Sequence, residues 1–313
     1  MPPQLRASIV VPVFHNEGSL PFLCNQLDDL AKQCKQNNIS LEVVFVDDDS
    51  QDDSLATLLR IKAEKHFYKI KILHLARNFG STVAIRTGIK HITGDCVITL
   101  SADLQDPPGI ITRMLDGWLQ GNKFVICTRL TREDPISTKI FSFLFYRFIR
   151  GFILSDYPQG GFDLALMDKD ILPFLSSSSS QLFTPIQVYS MGFRPKVIYY
   201  HREKRIHGKS KWTFGKKLSL FVDIALSFSR KPARLLSLSG IIIAVISFMY
   251  GIYVVAWALL MGTSVPGFAA TISSVSILSS VIITLLSLTI EYLSRIFYIL
   301  SSQPEVVIEE AYD

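Results

Sequence analysis

From Leu235 to Ile290 the chain carries no Asp, Glu, Lys, Arg or His. A bilayer core about 30 Å thick is crossed by about 20 apolar residues in a helix. The run is therefore too long for one span and suits two. Its natural break is Met261-Gly262-Thr263-Ser264-Val265-Pro266-Gly267, where glycine and proline favour a turn. The first span is expected over about 235–261 and the second over about 268–290, running on toward Leu300, in preference to a buried helical hairpin. Hydrophobic residues make up 49% of the 313 and the mean hydropathy is +0.31. That excess sits in this run, whereas the first two hundred residues have ordinary globular composition. The expected organisation is a head (1–200), a basic juxtamembrane segment (201–234), a transmembrane hairpin (235–300) and an acidic tail (301–313).

Flanking charge orients the hairpin. Lys216, Lys217, Arg230, Lys231 and Arg234 precede the first span, and the connecting loop is uncharged. The positive-inside rule then places the head on the cytoplasmic side. Two spans return the tail, with Glu305, Glu309, Glu310 and Asp313, to that side, and acidic residues weigh little in the rule. Met1 to Arg6 leads straight into a strand-like run, so no signal peptide is visible. The cysteines at 24, 34, 96 and 127 lack metal-ligand spacing and read as reduced packing residues.

Within the head, β-branched runs alternate with helical patterns. Strands are expected over Ser8–Phe14, Leu41–Val46, Ile70–Leu75 and Cys96–Leu100. Helices are expected over Ser19–Cys34, with Leu20, Leu23, Leu27 and Leu30 on one face, and over Asp53–Lys65 and Thr82–His91. This alternation predicts an α/β head with a mostly parallel sheet covered on both faces. Such sheets bind ligands at the C-terminal ends of their strands. The polar clusters follow Phe14, Val46, Leu75 and Leu100, as that rule requires.

Three consecutive carboxylates, Asp47 to Asp49, are costly to gather unless solvated or occupied. Asp49 or Ser50 reads equally as a cap for the next helix, while Asp47 and Asp48, beside a buried strand, suit hydrogen bonds to a base or ribose. Asp103, Gln105 and Asp106 offer hard oxygen ligands for Mg²⁺ or Mn²⁺, ions held by one or two protein oxygens plus phosphates and water. Asp106, before two prolines, also reads as a helix cap. Lys196 to Arg234 holds eleven Lys/Arg against Glu203 and Asp223, a surface for anionic headgroups. Within it Arg202, Arg205, Ser210 and Lys211 surround His207-Gly208 and could grip phosphates. Gly215 to Ser229 has the pattern of an amphipathic interface helix. Nucleic acid is a poor partner, since net charge is only +5 and the basic run abuts a span. Serine and small residues in both spans would permit close helix packing, and with it a homo-oligomer.

Taken in order, Val11-Pro12-Val13-Phe14, Val46-Asp47-Asp48-Asp49-Ser50, Arg77-Asn78-Phe79-Gly80, Ala102-Asp103-Leu104-Gln105-Asp106-Pro107-Pro108 and Gly208-Lys209-Ser210-Lys211-Trp212 resemble glycosyltransferase family 2. The nearest branch is the polyprenyl-phosphate glycosyltransferases, which include bactoprenol glucosyltransferases and dolichol-phosphate mannose synthases. The resemblance implies a GT-A fold and metal-dependent, inverting transfer of a hexose to undecaprenyl phosphate. By resemblance the donor is UDP-glucose and the place is the cytoplasmic face of a bacterial inner membrane. GDP-mannose-dependent transfer, or a non-catalytic nucleotide-sugar-binding scaffold, is the alternative.

Carried over by position, Pro12, Phe14, Asp47 and Asp48 would cradle base and ribose, with help from Glu17. Asp103 and Gln105 would bind the metal, and the Ala102 backbone would touch the nucleotide. Arg129, Arg205 and Lys211 match positions contacting donor or lipid phosphates. Asp163, in Gly160-Gly161-Phe162-Asp163, matches the acidic residue near the acceptor. A phosphate monoester is already largely dianionic at pH 7, its second pKa being about 6, so Asp163 would orient the acceptor or stabilise developing charge. Two departures stand out: Ser101 replaces a carboxylate common in the family, and Asp49 replaces a common Gly or Asn.

Overall fold

The computed structural model describes residues 4–129, 146–151, 156–158, 161–162, 164–176, 187–189, 191–201 and 306–313, with isolated helical positions between 242 and 296. Strand β1 (Leu5–Val13) lies between β2 (Ile39–Asp47) and β4 (Cys96–Thr99), parallel to both. β3 (Lys69–Leu75) extends the sheet parallel to β2. Beyond β4 come β6 (Leu164–Asp168), β5 (Phe124–Arg129) and β7 (Lys196–Tyr200). β6 runs antiparallel to β4 and β5, and β7 runs parallel to β5. The result is a GT-A-like α/β sheet, parallel through its centre as its continuous apolar strands require.

Helices cover both faces. α1 (Leu20–Gln36) buries Leu20, Leu23, Leu27 and Leu30, the face its period predicts. α2 (Ser54–Lys62), α3 (Ser81–Lys90) and α4 (Pro108–Leu119) complete the wrapping. Element boundaries fall within a few residues of expectation, and β1 and β2 begin earlier. Within β2, Glu42 is a buried acid that the apolar pattern did not anticipate at depth. It is satisfied by Ser8 Oγ at 2.5 Å, by Thr93 N at 2.8 Å and by Thr93 Oγ1 at 2.9 Å. All four cysteines are free and buried. Burial pushes the Cys24 and Cys34 thiols up to about 11 and Cys96 higher still, which makes them packing groups rather than nucleophiles.

The tail departs from expectation as a separate segment. Residues 308–312 form β8 (Ile308–Tyr312), antiparallel to β3 and the last strand of the head sheet. A bare edge strand exposes unpaired amides and carbonyls, and β8 covers that of β3. Residues 303–313 belong to the same compact unit as residues 1–217, whereas 218–302 form a second unit.

Among the described residues no helix is long and apolar enough to cross a membrane, and most of 235–300 lies outside them. The positions described there are all helical. Their large apolar side chains stand exposed, among them Ile242, Ile246, Met249, Tyr253, Leu286 and Leu293.

Gly88 sets how closely α3 approaches the sheet. A Cβ there would stand 2.4 Å from Val10 Cγ1 and 3.1 Å from Val46 Cγ2, both on fully buried valines. Gly88→Ala is expected to destabilise the head by about 1–3 kcal/mol through overpacking, read as a lowered Tm of the purified protein.

Candidate active site

Strand order reverses at β1, with β2 and β3 on one side and β4 on the other. The loops leaving β1 and β4 therefore diverge and open a crevice at the C-terminal ends of the strands, the place where such sheets bind ligands. A short network of hydrogen bonds shapes that crevice.

The loop after β1 is stapled to the loop after β2. His15 N donates to Ser50 Oγ at 3.0 Å, Asn16 N to Ser54 Oγ at 2.8 Å, and Asp53 N to Glu17 Oε2 at 3.0 Å. His15 adopts a positive φ of 53° and stacks on Phe14 with centroids 4.1 Å apart. Ser19 Oγ bridges the crevice, donating to Ala102 O at 2.7 Å. These bonds correct the expected cap. Ser50 accepts from the β1 loop instead of capping α2, whose N-cap is Asp53, and Asp49 occupies the left-handed region at φ 56°. That conformation is one Asp tolerates, as Gly or Asn would.

Asp47 and Asp48 end β2 with different environments. Asp47 is fully buried. Its Oδ2 takes His74 Nδ1 at 2.9 Å and Ser50 N at 3.3 Å, while Oδ1 is buried without a protein partner. Asp48 grips the loop after β3, Oδ1 accepting Phe79 N at 2.7 Å and Oδ2 accepting Gly80 N at 2.9 Å. Burial raises the Asp48 pKa, and the two loop amides pull against that rise. Asp48 thus turns Arg77-Asn78-Phe79-Gly80 into a wall of the crevice.

After β4 the chain makes a tight turn around Leu104, a buried residue with φ 57°. A left-handed leucine costs about 1–2 kcal/mol, offset here because its side chain packs in the core beneath the loop. The strained turn leaves Asp103 and Gln105 part-exposed on either side of buried Leu104, and Asp103 Oδ1 lies 3.4 Å from Gln105 N. The expected cap role of Asp106 is corrected. The N-cap of α4 is Pro107, and buried Asp106 Oδ1 accepts the Tyr200 hydroxyl at 2.8 Å. That bond ties the 101–106 loop to the end of β7, from which the basic segment departs. Among the described residues no three His, Cys, Asp or Glu side chains converge as a metal cage.

The structure thus gathers Pro12, Phe14, Glu17, Asp47, Asp48, Ala102, Asp103 and Gln105 at one end of the sheet. Arg129 ends β5, and its side chain lies outside the described residues, as do Asp163, Arg202, Arg205, Ser210 and Lys211. Asn16, Ser19, His74 and Tyr200 were not singled out from the sequence. His74 had the clearest signal, a polar residue inside a strand one position from its C-terminal end.

The model of the Glycosyl transferase family 2 matches residues 8–175. The glycosyltransferase CsbB of Bacillus subtilis is 32% identical over 305 residues, 97% of this chain and 91% of that protein. The undecaprenyl-phosphate 4-deoxy-4-formamido-L-arabinose transferase of Klebsiella pneumoniae is 31% identical, over 98% of this chain and 94% of its own length. Among solved structures, glucosyl-3-phosphoglycerate synthase from Mycobacterium tuberculosis, in complex with Mn²⁺, UDP-glucose and phosphoglyceric acid, is 13% identical with a TM-score of 0.48. It covers 70% of this chain and 78% of that one. The family match over residues 8–175, with 31–32% identity to the Bacillus and Klebsiella proteins along 97–98% of the chain, makes the chain a member of glycosyltransferase family 2.

Proposed function

We propose that this protein transfers a hexose, with glucose from UDP-glucose as the leading donor, onto undecaprenyl phosphate with inversion at the sugar carbon. One observation carries the acceptor: identity to an undecaprenyl-phosphate sugar transferase runs over 98% of this chain and so includes the apolar C-terminal run. A lipid phosphate is a substrate that a head joined to membrane spans can reach. The exposed, helically spaced apolar side chains between Ile242 and Ile296 support a lipid-facing hairpin. Pairing of β8 with β3 adds a topological argument. Both ends of the apolar run must lie on one side of any bilayer it crosses, which requires an even number of spans. The basic segment before the first span supports a head at the cytoplasmic face.

In this reading the nucleotide lies across the crevice. The unpartnered Asp47 Oδ1 accepts an N–H of the base or a ribose hydroxyl, and Phe14 packs against the base. The 77–80 loop, held by Asp48, closes one side. Asp103 and Gln105 fit Mg²⁺ or Mn²⁺, because they supply two hard oxygens and leave the other positions to phosphates and water. Bound there, the ion neutralises charge building on the departing diphosphate. Ser101 in place of a carboxylate predicts weaker metal affinity. The acceptor phosphate needs no strong base, so Asp163 orients it, and Arg129, Arg202, Arg205, Ser210 and Lys211 hold phosphates.

The direct test presents labelled UDP- and GDP-sugars with undecaprenyl phosphate, with and without Mn²⁺. Transfer from a UDP-hexose that is lost on chelation is expected. Absence of transfer from every donor, with nucleotide still bound, would leave only a scaffold. Asp103→Asn is expected to lower kcat by about 10²–10³ with an unchanged Tm. Asp163→Asn should scale kcat down by a similar factor at every pH, and a changed shape of the pH profile would instead make it a general base.

A further inference from the structure

The C-terminal strand does more than cover an edge. It reaches the donor crevice at two points. Ala76 N, at the start of the 77–80 loop, donates to Val307 O at 3.1 Å, and that same loop is held at its far end by Asp48. The β3–β8 register shifts between His74 and Leu75: His74 pairs with Glu310 and Leu75 with Ile308, so Glu309 is the extra residue. Bulges of this kind re-aim a side chain. Here the Glu309 carboxylate stands 3.6 Å from His74 Nε2, while Nδ1 of the same ring lies 2.9 Å from Asp47 Oδ2. A carboxylate accepts, so Nδ1 carries the proton toward Asp47.

We propose that β8 is a working part of the nucleotide site, with Glu309 and His74 acting as positioning residues for Asp47. The ring is clasped between a carboxylate from the tail and one at the end of β2. Its position fixes Oδ2 of Asp47 and leaves the buried, unpartnered Oδ1 as the acceptor for the ligand. A lone buried carboxylate free to rotate would present neither oxygen reliably. The C-terminal residues, distant in sequence from every motif of the head, thereby set donor affinity. The proposal rests on the reading of Asp47 as a nucleotide ligand.

The test uses full-length protein in detergent, with UDP and GDP titrated by calorimetry and Tm followed in parallel. Truncation after Pro304, and separately His74→Leu, should each weaken binding of the preferred nucleotide about tenfold. Glu309→Gln should weaken it about two- to threefold and should have no further effect when added to His74→Leu. A synthetic peptide of residues 303–313 should restore affinity to the truncated protein by strand addition. His74→Asn, which keeps a donor near the Nδ1 position, should recover part of the loss caused by His74→Leu. Tight nucleotide binding by a cooperatively melting truncated protein, or simple additivity of Glu309→Gln with His74→Leu, overturns the proposal. Where truncation prevents folding, that non-additivity decides it. Asp47→Asn separates the two levels. If it leaves affinity unchanged, the site reading falls and takes the proposal with it; if it abolishes binding while the tail variants do nothing, only the proposal falls.

Discussion

Parallel pairing of β1 with both β2 and β4 is the arrangement on which the rest depends. It aligns the strand ends, so the loops after Val13, Asp47 and Thr99 all leave from the same end of the sheet. It also places the reversal of strand order at β1, which opens the crevice. Buried valine and isoleucine side chains along β1 and β2 hold that alignment.

On that frame the crevice is organised by polar groups that have left water and need partners. Ser19, Ser54 and Asp48 each make a hydrogen bond to a neighbouring loop, and Asp106 makes one to Tyr200 at the end of β7. The loops are thus fixed before any ligand arrives, which reduces the ordering cost of binding. Asp47 is the exception, with one oxygen committed and one open. Such an orphaned acceptor is expensive in an empty site and becomes useful when a donor group fills it. The strained Leu104 follows the same logic: core packing holds a turn that local preference opposes.

Much of this was legible in the chain. Alternating apolar runs fixed the element order, and the α/β rule placed the polar clusters at strand ends. Asp47, Asp48 and Asp103 stand out in the chain because acids crowded beside a buried strand demand a reason, and Gln105 adds an amide oxygen two residues on. Local capping rules fail at Ser50 and Asp106, since a side chain's nearest helix competes with partners far along the chain. Ser50 meets His15 and Asp106 meets Tyr200, and no local pattern encodes either pairing.

The sequence by itself set apart the run from Leu235 to Ile290, fifty-six consecutive residues without a charged side chain, and that run falls within the second compact unit. It also determined the sheet type and the location of the crevice, which follow from periodicity and from the chemistry at strand ends. Only the tertiary structure decided what holds each carboxylate and where the tail goes. Both are matters of long-range pairing: β8 contacts β3 across more than two hundred residues. Its five residues hold too few apolar side chains to announce a strand. They become one because β3 would otherwise present an unsatisfied edge.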